Sequence, residues 1–471
     1  MDIQILYNLC EQHFGQLPIK FEKIPQSGSD RQYIRLCLAS GNVIGVYNPN
    51  VAENLAFINL AKAFKEKLLP VPEIYSLDST QQYYLCSDHG NILLFNIIEK
   101  DENGNLTKEI FEYFSKSLQY LVGFQMCGKQ PDFVSLCNDP KQFDRQSITW
   151  DLNYFKYNFL KLSGIVFNEY ALENEFENLT TLVNEIPLQG FMYRDFQSRN
   201  ILIDKGTPIF IDFQGGRRGP LQYDVVSLLW QARANLSATD KQQLINIYLN
   251  ELEKLVPNSS ELFLKDFNIV VLLRLLQVLG AYGFRGLFER KSHFLKSIPY
   301  AITQLKDHWK QNFESTKYPE LNNIICQLAE IQFLKQSASS NNLIIHVSSF
   351  SFLNGSYPVD LTGHGGGYVF DCRGLPNPGR LEGYKQFTGR DQKVIDYLRL
   401  FDEVQEFIDS VYAIIEKHAK GYILKNYGVL NVFFGCTGGQ QRSIYCAERI
   451  NKRLNENGYK TNLWHREFPQ I

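Results

Sequence analysis

The sequence predicts an α+β domain of two lobes, the first rich in strands and the second mostly helical, followed by a smaller α/β domain built on a strand–glycine loop–helix unit. Three observations carry this. Tyr33-Ile34-Arg35-Leu36 and Val43-Ile44-Gly45-Val46-Tyr47 are β-branched and aromatic runs on either side of Gly41-Asn42, a hairpin signal. Helical periodicity then dominates from Lys108 to about Val183 and from Tyr223 to about Phe333, broken by two short strands. Beyond the small polar stretch Lys335 to Asn342, strands, glycine-rich turns and helices alternate.

The elements follow in order. Gln26-Ser27-Gly28-Ser29-Asp30 is a small turn among the first strands. A helix is expected over Glu53–Lys67, with Leu55, Ile58, Leu60 and Phe64 as its apolar stripe. Gln82 to Leu85 is a strand and Ser87-Asp88-His89-Gly90 a turn. Asn200 to Ile203 and Ile209 to Phe213 are strands around the turn Asp204-Lys205-Gly206. The expected boundaries are a first domain over 1–334 (small lobe about 1–90, helical lobe about 91–334), a linker over 335–342 and a second domain over 343–471.

Length and composition agree. A chain of 471 residues exceeds one ordinary core, and 44% hydrophobic with 21% charged residues is a soluble globular composition. The net charge of −2 gives no general attraction to nucleic acid or acidic membrane. The start lacks the basic and apolar regions of a signal peptide, and no run approaches the ~18 apolar residues of a membrane span. Nine cysteines without CxxC pairs or zinc-type spacing read as free thiols in a reducing cytoplasm. The expectation is a cytoplasmic protein without a membrane partner.

The most informative stretch is Met192-Tyr193-Arg194-Asp195-Phe196-Gln197-Ser198-Arg199-Asn200, followed by a strand, a turn and Ile211-Asp212-Phe213. Phosphoryl transfer needs a carboxylate to orient the attacking hydroxyl and take its proton, and oxygen ligands for magnesium on the triphosphate. Asp195 fits the first role, beside Arg194, and Asn200 with Asp212 fits the second. A short hairpin between them brings both magnesium ligands to one place. Turn and capping roles are the alternative for isolated Asp and Asn residues. Asp224, at the entry of the next helix, reads as a cap or buried support, with substrate contact as the other reading.

These motifs resemble the aminoglycoside phosphotransferase and choline-kinase-like family over roughly residues 20–330. The resemblance implies a two-lobed protein-kinase-like fold, ATP and Mg2+ as cofactors, and a small-molecule hydroxyl as acceptor. Tyr193 to Asn200 and Ile211-Asp212-Phe213-Gln214-Gly215-Gly216-Arg217-Arg218-Gly219-Pro220 look most like the anomeric amino-sugar kinases of cell-wall recycling. The implied substrate is then a sugar such as N-acetylglucosamine or N-acetylmuramate. One departure is the absence of the Lys that such kinases carry on the third strand, since Val43 to Tyr47 has none. Arg31 or Arg35 supplies the charge, or both lie on a solvated strand face; Arg35 is the candidate retained. Ser27, Gly28 and Ser29 are expected to cover the phosphates, and Leu85 and Ser87 to meet adenine at the interlobe hinge. Gln197, Arg199, Asp151 and Asp224 are the candidate acceptor contacts, with an amphipathic core helix as the alternative for Trp150 to Phe155.

In the second domain, Leu430-Asn431-Val432-Phe433-Phe434 is a buried-strand pattern running into Gly435-Cys436-Thr437-Gly438-Gly439-Gln440-Gln441-Arg442-Ser443 and a helix. Such a loop points backbone N–H groups at one spot on the helix dipole, and Arg442 adds a phosphate clamp. Cys436 and Arg442 also have the Cys-x5-Arg spacing of cysteine-dependent phosphatases. His346 to Phe352, Phe370 to Pro378, Phe387 to Asp391, Gly435 to Ser443 and Trp464-His465-Arg466 together resemble the C-terminal domain of RapZ, over about 343–467. That resemblance implies a sugar-phosphate site from Cys436, Thr437, Gly438, Gly439, Arg442 and Ser443, with Arg373, Asn377, Thr388 and His465 as neighbours. The RapZ nucleotide-binding half is absent, and 343–471 holds 15 Lys+Arg against 13 Asp+Glu, so an RNA partner is disfavoured. The reading is a sugar kinase with a phosphosugar-binding domain. Its rivals are a sensor or RNA adapter on a degenerate kinase scaffold, and a phosphatase.

Overall fold

In the computed structural model the described residues are 1–24, 31–130, 132–289, 292–295, 297–330, 343–355, 358, 367–424 and 427–467. The expected linker 335–342 and Ser27, Gly28 and Ser29 lie outside them. The chain divides into two compact units. The first comprises Met1–Lys156, Ile165–Val278 and Tyr300–Cys326, and the second Tyr157–Gly164, Leu279–Pro299 and Gln327–Ile471.

In the first unit, α1 (Ile3–Phe14) precedes β1 (Lys20–Ile24), β2 (Gln32–Leu38) and β3 (Gly41–Tyr47). Next come α2 (Val51–Glu66), β4 (Ile74–Leu77) and β5 (Tyr83–Ser87). The strands form an antiparallel sheet in the order β1-β2-β3-β5-β4. The β2–β3 turn falls at Ala39–Ser40, two residues before the expected Gly41-Asn42, which instead pair with Leu38 and Cys37 inside the ladder. Period-two alternation gives the sheet two faces. Ile34, Leu36, Val43, Tyr83 and Leu85 form one core with Leu6 and Leu9 of α1. Tyr33, Arg35, Ile44, Val46, Tyr84 and Cys86 belong to the other face by register.

The helical lobe includes α3 (Lys108–Cys127), α4 (Arg145–Phe155), α5 (Glu169–Asn184), α6 (Gln222–Leu229) and α7 (Ala238–Leu255). Two ladders interrupt it. The strands β6 (Gln189–Met192) and β9 (Arg217–Pro220) pair antiparallel, as do β7 (Ile201–Asp204) and β8 (Thr207–Phe210). Aromatic packing joins α2 to this lobe. Phe57 stacks on Phe213 at 4.7 Å, and Phe64 meets Phe124, Phe191 and Phe213 edge-on. One helical run, Phe267–Phe288, is long and apolar enough to cross a membrane, contrary to expectation. It reads as a core helix: Val270 to Leu273 are at most 1% exposed, and buried Arg274 donates to Ser227 Oγ.

The second unit holds a parallel sheet of β10 (Ile344–Ser351), β11 (Gly367–Asp371), β12 (Val429–Cys436) and β13 (Lys460–His465), in the order β11-β12-β10-β13. The connection from β10 passes over β12 to β11, and that from β12 passes over β10 to β13. The C-terminal ends of β10 and β12 therefore flank a topological switch point.

The end of α3 approaches β6 closely enough to exclude a side chain. A Cβ on Gly128 would stand 2.1 Å from Phe191 N, and one on Gly190 would stand 2.5 Å from Gln125 O. Gly128 is helical (φ −69°), so Ala would gain propensity there, yet backbone against backbone cannot relax cheaply. Gly128→Ala is expected to destabilise the chain by about 1–3 kcal/mol in urea unfolding. An unchanged midpoint would mean that α3 and β6 stand further apart.

Candidate functional site

The loop after β6 is fixed from below. Asp224, in the first turn of α6 and 0% exposed, accepts the N–H groups of Tyr193 at 2.6 Å and Arg194 at 3.0 Å. Burial raises its pKa to about 7, against the lowering effect of those two N–H groups and Arg274. Asp224 is thus a buried support, and the substrate-contact reading fails because its oxygens face the loop backbone. These anchors hold Arg194 at φ +77°, a conformation that a non-glycine residue keeps only when its surroundings demand it.

Both terminal nitrogens of Arg194 bind Asp151, at 2.6 and 2.8 Å, and Nη1 also donates to Tyr223 Oη at 2.8 Å. The guanidinium lies over the rings of Phe143 and Tyr223. Asp151 of α4 is therefore the counterion of a buried arginine rather than an acceptor ligand. Arg194 acts by positioning the loop rather than by touching reactants.

Asp195 itself is exposed. The turn Ser198–Asn200, closed by Asn200 N–H on the Gln197 carbonyl at 2.8 Å, swings Asn200 back toward it. Asn200 Nδ2 donates to the Asp195 carbonyl at 2.8 Å and lies 3.4 Å from Asp212 Oδ2. The β7–β8 hairpin, turning at Lys205 and Gly206 with positive φ, delivers Asp212 at φ +70°. Tyr193 Oη donates to the Ile211 carbonyl at 2.7 Å, tying the two loops together. Enclosure and the neighbouring Asp195 raise the Asp212 pKa, while Gln214 and Arg31 lower it. An amide oxygen and a carboxylate destabilised by a second carboxylate suit a hard divalent cation that completes its shell with water and phosphate. Among the described residues no three His, Cys, Asp or Glu cluster as a closed metal site.

The cation that reaches this centre is Arg31, not the expected Arg35. Arg31 binds Glu53, in the first turn of α2, at 2.7 Å and lies 3.6 Å from Asp212. Arg35 is four residues on, about 13 Å along the strand. It pairs with Asp88, Nε to Oδ2 at 2.5 Å, and donates to Asn91 at 2.6 Å. Leu85 belongs to the α1 core, with Gly45 and Ser76 as its ladder partners. Ser87 exchanges both backbone and side-chain hydrogen bonds with Glu73. Neither residue therefore presents to a nucleotide as expected, because β5 is an interior strand. The chain crosses between lobes just after it, where His89 binds Asp204 at 2.8 Å. Gln197 is half-buried near Asp195, and Arg199 lies over Phe95 at 5.5 Å. Glu53 was not singled out in the sequence, although an acid in the first turn of the helix after the sheet was its signal.

In the second unit the loop after β12 lines a cavity of about 240 Å³. Cys436, Thr437, Gly438 and Arg442 line it as expected, with Asn377. Gln440 and Gln441 of the same loop also line it, and Gly379 and Lys385, which sequence reasoning missed, are brought there only by the fold. Arg442 Nη1 donates to the carbonyls of Arg373 and Leu375, so part of this guanidinium is held by backbone. Other expected neighbours do not line the cavity. His465, 2% exposed, binds Ser349 Oγ at 2.7 Å. Thr388 Oγ1 donates to Asp391, and Arg373 pairs with Asp371. Ser443 is buried 3.1 Å from Cys436 Sγ, and Gly439 turns at φ +67° against Ser351 and Glu467. Cys436, 3% exposed, is also part of the unit's core.

Residues 29–257 match the phosphotransferase enzyme family, and residues 343–469 match the RapZ C-terminal domain. A nucleotide-binding protein of Acidobacterium capsulatum is 36% identical over 135 residues, 29% of this chain and 42% of that protein. One from Clostridium kluyveri is 36% identical over 138 residues, 29% of this chain and 45% of the relative. The chain thus spans less than half the length of these curated relatives. Among solved structures, choline kinase from Cryptosporidium parvum aligns at TM-score 0.47 and 11% identity, over 69% of this chain and 100% of that one. The ADP-bound aminoglycoside phosphotransferase APH(2'')-Ib aligns at 0.44 and 12%, over 66% and 99%. The chain is thus similar to the phosphotransferase enzyme family over residues 29–257 and to the RapZ C-terminal domain over residues 343–469.

Proposed function

We propose that the first domain is a sugar kinase that uses ATP and Mg2+, with an amino sugar such as N-acetylglucosamine or N-acetylmuramate phosphorylated at its anomeric hydroxyl. The observation that carries the reading is the exposed Asp195 beside Asn200 and Asp212 on a loop held rigid by Asp224. Asp195 orients the acceptor hydroxyl and takes its proton as the oxygen attacks the γ-phosphorus and the bond to ADP breaks. Asn200 and Asp212 would hold magnesium, which neutralises triphosphate charge when bound. Arg31 keeps Glu53 and Asp212 in register, the task that a strand-three Lys leaves open here. The second domain is proposed to bind a sugar phosphate on the loop Cys436 to Arg442, and to couple that binding to the kinase.

Magnesium-dependent ATP consumption across N-acetylglucosamine, N-acetylmuramate, glucosamine, hexoses and an aminoglycoside tests the kinase. Turnover of a sugar should fall about 10²- to 10⁴-fold in Asp195→Asn with ATP binding retained. Silence on every acceptor would sink the reading.

Asp224 provides a pH test. Its folded pKa of about 7 lies above the ordinary 3.8, so the folded chain holds the extra proton between these values. Its contribution to stability is complete below about pH 4 and is lost as the pH rises toward 7. In Asp224→Asn this titration is gone, so wild type should lose stability relative to the variant from pH 4 to 7. A level difference in urea unfolding would show an Asp224 that stays ionised.

For the second domain, a Cβ on Gly438 meets nothing within 4 Å, so Gly438→Asp fits while placing a carboxylate at the loop. Calorimetric binding of glucosamine 6-phosphate should weaken at least about tenfold in this variant. Equal binding would remove the loop as the site.

A further inference from the structure

Three guanidiniums around the cleft are neutralised by a carboxylate. Arg31 has Glu53, Arg35 has Asp88 and Arg194 has Asp151. Arg199 and Arg233 have no carboxylate within 4 Å among the described residues, and Arg199 Nε is buried without a hydrogen-bond partner. Their guanidiniums nevertheless converge on one ring, at 5.5 and 5.8 Å from the Phe95 centroid. Ser198 Oγ donates to Gln231 at 2.7 Å, and Gln231 donates to the Leu228 carbonyl at 2.8 Å. These bonds clamp the turn carrying Arg199 to the segment carrying Arg233. Each guanidinium therefore leaves positive charge beside the same ring without an internal counterion, which favours an anion there. Arg199 adjoins Asn200 and is four residues from Asp195.

We propose that Arg199 and Arg233, on the platform of Phe95, form an anion subsite that selects an acceptor carrying a carboxylate or phosphate monoester. This rests on the kinase reading and narrows its substrate class. The acceptor's anion binds the two guanidiniums while its reacting hydroxyl lies at Asp195. Neutral sugars lose this anchor and are poorer substrates.

The test compares matched acceptors under magnesium and ATP. These are N-acetylglucosamine with N-acetylmuramate, glucose with glucuronate, and glucosamine with glucosamine 6-phosphate. The last pair is run in Gly438→Asp, so that the second-domain cavity does not compete. The acidic member of at least one pair should have the higher kcat/KM, and which pair it is separates carboxylate from phosphate. In Arg199→Gln, Arg233→Gln and the double variant, that preference should fall about 10- to 100-fold, through the KM of the acceptor and not that of ATP. A wild type that prefers the neutral member of every pair overturns the proposal, as does a loss confined to the KM of ATP. If no acceptor turns over, the kinase reading fails, and calorimetric binding of the same acids decides the subsite. Binding abolished in the double variant sustains it, and absence of binding to wild type overturns it.

Discussion

The loop that carries Asp195 depends on one buried carboxylate. Asp224 reaches up from the first turn of α6 to two consecutive backbone N–H groups, and without it Tyr193 and Arg194 would leave unpaired donors in a dry interior. The positive φ of Arg194 follows from this grip, and the φ of Arg194 turns its guanidinium onto Asp151. Asp195 emerges as the residue that nothing in the core claims. Rigid support below and exposure above are what a group must have to orient a substrate hydroxyl without reorganising at the moment of reaction.

Charge in the cleft is arranged around Asp212. Asp195 crowds it, Arg31 relieves it from the residue before β2, and Glu53 fixes Arg31 from α2. Three elements of separate origin thereby meet at one carboxylate, so the strand lobe and the hairpin are linked through ion pairs as well as through the Phe57–Phe213 stack. A cation just before β2 can do this in place of one on β3, because neighbouring strands lie under 5 Å apart and a guanidinium is long.

The second unit forms its cavity by a different route. A fully buried β12 stops at the switch point of a parallel sheet, and the turn of Thr437 to Gln441 opens beside the end of β10. Lys385, Asn377 and Gly379 close the cavity from a segment more than fifty residues earlier. The arginine in the loop is held by two carbonyls, which fixes its direction before any anion arrives.

The sequence by itself determined most strands and the proximity of Asp195, Asn200 and Asp212, whereas the two compact units are bounded differently from the expected domains. Those signals are local: period-two alternation, a turn of fixed length and residues whose chemistry requires their spacing. It could not separate Arg31 from Arg35, since the two stand four residues apart at and before the start of β2 and only the packing of α2 and Asp212 distinguishes them. Asp151 was legible as an acid on a helix, but its claim by Arg194 depended on a fold back across 43 residues. His465 and Thr388 carried the right chemistry and were taken by Ser349 and Asp391. Tertiary structure decided these cases because a hydrogen-bonding side chain serves whichever partner the fold brings within 3 Å, and distance in space is not written in spacing along the chain.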